Sequence, residues 1–179
     1  MNCSIVAASS PPKRGAVMAL VNEVPAVEAA GFIVDVDERD ATLWTIALVP
    51  KLLKQHGLHR LVSELKQWAQ CNRKPEAIVL EVRFRTRHPD EPPFIRVVRP
   101  RFVFHTGHVT VGGSICTRML TSDGWIKSMT IDAALRAVCE NLNDGDARID
   151  MRSAFQVDYT LQEATIAFSR VAADHGWRL

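Results

Sequence analysis

Apolar positions along the chain change period several times, and each change marks a predicted element. Between Lys13 and Val24 the residues Ala16, Val17, Leu20, Val21 and Val24 recur at three- and four-residue spacing, which predicts an amphipathic helix. Gly31–Val36 and Thr42–Val49 are instead rich in β-branched and aromatic residues, and the polar run Asp37–Asp40 between them predicts a hairpin. From Lys51 to Asn72 the helical period returns, with Leu58, Leu61, Val62, Leu65 and Trp68 on one face of a short helix. Glu76–Arg85 alternates and predicts a third strand. A proline-rich turn follows, Arg87–Pro93, and then a fourth strand, Phe94–Arg99, closed by Pro100, which cannot donate to a ladder. Farther on, Thr130 stands as an N-cap before Ile131, Leu135, Val138 and Leu142, spaced four, three and four apart. Thr160-Leu-Gln-Glu163 has the spacing of a capping box, opening a last helix that Gly176 ends. The sum is an α+β chain: a four-stranded antiparallel meander with helices on one side.

Between the fourth strand and the Thr130 helix neither period runs. Val109–Met119 is therefore expected as an ordered surface loop, with Cys116 in it after Gly112-Gly113-Ser114. Glycines there let another chain segment approach closely and let the backbone adopt conformations closed to other residues. A cysteine used for packing is usually embedded in a periodic apolar run, as Cys139 is within the Thr130 helix; Cys116 is not, which leaves a structural thiol and a chemical one both open. Arg118, two residues on, would favour a thiolate. A Cys–His hydrolase using His105 or His108 is a further reading that spacing alone leaves open.

Composition narrows the classes. With 179 residues, 47% hydrophobic and 23% charged, the chain suits one well-packed domain, expected over 13–179 after a flexible N-terminus at 1–12. The net charge of 22 − 20 = +2 favours neither nucleic acid nor membrane as a partner. No apolar run reaches the roughly 18 residues of a membrane span, and no cationic-then-apolar leader opens the sequence. The four cysteines show no C-x-x-C spacing, so no metal centre is expected, and reduced thiols in the cytosol or nucleus are the default.

An ordered set of motifs resembles the ubiquitin-conjugating enzymes, most closely their divergent Q-type subfamily. The set is Glu91-Pro-Pro-Phe-Ile-Arg-Val-Val-Arg-Pro100, Gly107-His-Val-Thr-Val-Gly-Gly-Ser-Ile-Cys116, Met119-Leu-Thr-Ser-Asp-Gly-Trp125, the helix opening at Thr130, and Tyr159 to Trp177. The resemblance implies the family's fold, with Lys51–Asn72 as a helical insertion between the second and third strands. It implies that Cys116 accepts ubiquitin, or a ubiquitin-like protein, as a thioester and passes it to a lysine amine, alone or with a ligase. No cofactor is implied, since ATP is used upstream by the activating enzyme. The family's His-Pro-Asn motif falls on Thr106-Gly107-His108, which puts His108 where asparagine is usual, either as oxyanion donor or as loop brace. Asp144 and Asp146 fall where an acid commonly orients the lysine. Lys13 and Arg14 would meet the activating enzyme; Pro92, Pro93 and Trp125 would meet partners. Lys127 replaces a usual proline, and Asp90-Glu91 replace a usual apolar contact. An inactive adaptor that keeps the fold and binds ubiquitin or a partner is the alternative.

Overall fold

The computed structural model describes residues 14–152 and 156–179. Lys13, the side chain of Arg14 and the N-terminus at 1–12 lie outside the described residues. Four strands, β1 (Ile33–Val36), β2 (Leu43–Leu48), β3 (Ile78–Arg83) and β4 (Phe94–Arg99), form one antiparallel sheet in sequence order. β2 pairs Trp44 with Val82, Ile46 with Leu80 and Leu48 with Ile78. These side chains, with Ile95 and Val97 of β4, fill the inner face of the sheet. The alternation seen in the sequence is thus the alternation of the pleat.

The predicted first helix ends early, at Val21, and a second helix that the periodicity did not predict follows it. α1 (Arg14–Val21) stops, and α2 (Val24–Ala29) starts with Pro25 in its first turn, where a missing N–H costs nothing. The Lys51–Asn72 segment is two helices rather than one, α3 (Pro50–Gln55) and α4 (His59–Asn72), turned by Gly57 at φ +78. The insertion belongs to the core: Leu61, Leu65 and Trp68 are buried there with α5 (Ile131–Asp144), which contributes Ile131, Leu135, Val138 and Leu142. Glu64 anchors it further, accepting from the Ile149 amide at 2.8 Å and pairing with the Arg148 guanidinium. Thr130 precedes α5 as expected, but its side chain caps nothing. The Glu23 carboxylate, from the α1–α2 junction, accepts from the Ile131 amide instead, at 2.8 Å. A capping acid more than a hundred positions away leaves no local sequence signal.

α6 (Leu161–Asp174) opens on the predicted capping box, with Thr160 and Glu163 exchanging bonds of 2.7 and 3.1 Å. It does not join the helices of the inner face. Phe94, which alternates with inward Ile95, meets Phe168 at 5.6 Å between ring centres, so α6 covers the outer face at the β4 end. Arg96 on that face is buried, bonded to Glu81 and to the Tyr159 carbonyl, each at 2.8 Å.

Candidate active site

The loop holding Cys116 is more regular than its sequence suggests. Val109 pairs with Ile115, the Cys116 amide donates to the His108 carbonyl at 2.7 Å, and the Thr110 amide donates to the Ser114 carbonyl at 2.9 Å. The buried Thr110 and Ser114 hydroxyls share a 2.7 Å bond within the turn. This small hairpin lies along β4, with Val97 donating to the Gly113 carbonyl and Ile115 to the Ile95 carbonyl. A short 3-10 turn, Arg118–Leu120, follows.

The two glycines are there for close approach, and Gly113, at φ +92, also for a backbone conformation closed to other residues. A Cβ on Gly112 would stand 2.1 Å from the Glu163 carbonyl oxygen, and one on Gly113 would stand 2.6 Å from the Tyr159 ring. The neighbouring segment that they admit is the one leading into α6. Tyr159 in turn accepts from the Phe102 amide at 2.9 Å and lies under the Arg101 guanidinium at 4.4 Å. At the base of the hairpin Gly107 crosses the end of α5. Its amide donates to the Gly145 carbonyl at 2.7 Å, and a Cβ on either glycine would collide with the other strand of the crossing.

Cys116 is half-buried and His108 exposed, and both line a groove of about 510 Å³. The walls are mainly apolar. Phe104, Val109 and Val111 come from the hairpin side, Gly145 from the end of α5, and Ala167, Arg170, Val171, Asp174 and His175 from α6 and its C-cap. His105 also faces the groove, against Phe104 at 3.7 Å between ring centres. Burial pushes the Cys116 thiol above the ordinary cysteine value, with no offsetting charge. Arg118 does not offset that rise; its charge is felt at Asp123, which it helps to lower after Arg178. Cys139, buried in α5, is pushed up to about 12, first by burial and then by Glu140.

Asp144 and Asp146 flank Gly145 but are exposed, and neither lines the groove; Asp146 pairs with Arg60 at 3.7 Å. Pro92 and Pro93 are buried. Trp125 is half-buried, its indole N–H donating to the Pro89 carbonyl at 2.8 Å beside the His88 ring. Lys127 and Asp90, the two departures from the family pattern, are partners: they form one exposed ion pair at 2.9 Å. The α6 wall is what sequence reasoning missed. Gly112-Gly113 signalled that something packs there, but not what.

No family model matches the chain. It is similar to the proteins named ubiquitin-conjugating enzyme E2 Q1 of Homo sapiens and Mus musculus, at 30% identity over 137 residues, 75% of this chain and 31% of theirs. It therefore spans about a third of the length of those relatives. A shorter Homo sapiens relative, a ubiquitin-conjugating enzyme Q-like protein, is 30% identical over 125 residues, 67% of this chain and 76% of that protein. Among solved structures, a ubiquitin-conjugating enzyme E2 from Plasmodium falciparum superposes with a TM-score of 0.51 at 18% identity, covering 72% of this chain and 96% of that one. Human ubiquitin-conjugating enzyme E2 G1 gives 0.51 at 16% identity, over 73% and 96%. These two likenesses establish the fold, and the sequence relatives establish the rest: the chain belongs to the ubiquitin-conjugating enzymes, in their divergent Q-type branch.

Proposed function

We propose that this chain carries ubiquitin, or a ubiquitin-like protein, as a thioester on Cys116 and passes it to a lysine amine, alone or with a ligase. The observation that carries the reading is a half-buried thiol on a braced hairpin, opening into a groove wide enough for an incoming side chain. In charging, the Cys116 thiolate attacks the thioester carbonyl on the activating enzyme. A C–S bond forms as another breaks, and the enzyme's thiolate leaves. The exchange is nearly isoenergetic, so it needs no ATP beyond that used to make the first thioester. In discharge an amine attacks the same carbonyl, the C–S bond breaks, and the amine's proton passes to water.

Discharge needs a donor aimed at the oxyanion. The His108 ring N–H fills that role in this reading. Its backbone carbonyl is bonded to the Cys116 amide, which fixes the two residues to each other. Lys13 and Arg14 meet the activating enzyme. Trp125 with the Lys127–Asp90 pair presents a charged surface to a ligase, where relatives of the common type present an apolar one. One observation favours the adaptor reading instead: burial raises the Cys116 thiol, which opposes thiolate formation.

A charging assay with activating enzyme, ATP and ubiquitin separates the two. Wild type is expected to form a conjugate that reducing agent removes, Cys116→Ser one that reducing agent leaves intact, and Cys116→Ala none. A thiol-labile conjugate on Cys116→Ala that disappears in Cys139→Ala would move the site. No conjugate on wild type would leave the adaptor.

A further inference from the structure

The α6 wall of the groove consists of Ala167, Arg170, Val171, Asp174 and His175, which fall at i, i+3, i+4, i+7 and i+8 and so form one helical face. The apolar pair, Ala167 and Val171, continues the surface of Phe104, Val109 and Val111. The charged end is the C-terminal turn. Asp174 is the one carboxylate that lines the groove, and among the described residues no ion pair involves it. Its position is electrostatically adverse. The last turn of a helix carries the negative end of the macrodipole, and α6 has no basic residue in that turn. An unpaired anion at a negative pole, on the wall of a groove that also holds a nucleophile, makes that end attractive to a cation. The wall also carries Arg170, one turn before Asp174, and His175, but Ala167 and Val171 are apolar, so the fitting cation has an aliphatic stem behind its charge.

We propose that Asp174 and the C-terminal turn of α6 hold the acceptor lysine, with its ammonium on the carboxylate and its stem along Ala167 and Val171. This rests on the thioester reading of Cys116. Asp174 binds the amine in its charged form and takes no proton from it. A free amine in exchange with the bound ammonium attacks the thioester, the N–C bond forms as the C–S bond breaks, and the proton leaves to water. The effect of Asp174 is therefore on acceptor capture.

The test loads Cys116 with ubiquitin, removes ATP, and compares discharge to free lysine with discharge to hydroxylamine, which is uncharged at neutral pH. In Asp174→Asn the ratio of lysine to hydroxylamine rate constants is expected to fall roughly two- to fivefold, the range of a partly exposed charge pair. The change should appear in half-saturating lysine, shrink with added salt, and be reversed in Asp174→Glu. An unchanged ratio, or both nucleophiles slowed alike, would overturn the assignment. So would a fall seen in Asp144→Asn or Asp146→Asn but not in Asp174→Asn. Failure of wild type to load at all is a different result, seen before any acceptor is added, and overturns the thioester reading on which this one rests.

Discussion

At the scale of single residues the site contains a thiol that its surroundings do not activate. Burial alone acts on Cys116 and raises it, so its thiolate fraction at neutral pH is below that of a free cysteine. The sign follows: alkylation and charging should both quicken as pH rises, with the midpoint above the ordinary thiol value. Peptide-resolved alkylation across pH checks this, and Cys139, pushed up to about 12, should stay unmodified in the same samples. A Cys116 midpoint below the ordinary value would mean that a nearby cation reaches it after all. His108 is the second test. If its ring stabilises the oxyanion, His108→Ala should slow discharge to lysine by up to about 10²-fold, the low end for such donors because the site is open to water. His108→Asn should recover part of the rate. Equal slowing of charging and discharge together with a lower melting temperature would mark it as a brace.

At the scale of elements, what was legible was what periodicity and local capping encode. β1 to β4, α5 and α6 were all readable, and Thr160 with Glu163 forms the expected box because both partners lie within one turn. What was hidden depended on distant residues. Glu23 caps α5 where Thr130 was expected to, and Gly57 divides a segment whose apolar spacing reads as continuous. In the site, Cys116 and His108 were found through the resemblance, but Arg170, Asp174 and His175 sit on an ordinary amphipathic pattern with nothing local to set them apart. Gly112 tests the seating of α6. Its Cβ would meet the Glu163 carbonyl oxygen at 2.1 Å, a backbone atom that cannot swing aside. Gly112→Ala should destabilise by about 1–3 kcal/mol, lowering Tm by a few degrees per kcal/mol, and should impair charging as α6 lifts. An unchanged melting curve would mean that α6 does not press on the hairpin.

At the scale of the whole molecule, the insertion at 51–72 is structural. Trp68 is 1% exposed, packed in the main core, and its indole N–H reaches Gln156 at 3.0 Å. Gln156 in turn accepts from the Arg101 amide, so the insertion braces the segment after β4 that leads to the site. Trp68→Ala should cost about 3–5 kcal/mol in a denaturant titration, whereas exposed Lys66→Ala on the same helix should move the midpoint within about 0.5 kcal/mol either way. A small loss at Trp68 would mean that α4 is an appendage. The α6 wall also has a consequence in time. Chains fold as they are synthesised, earlier segments first, and the thiol leaves the ribosome before Tyr159 and the helix that close its groove. A nascent chain arrested ahead of Tyr159 would expose Cys116 without its roof, so assembly of the last helix sets the moment at which the site comes into existence.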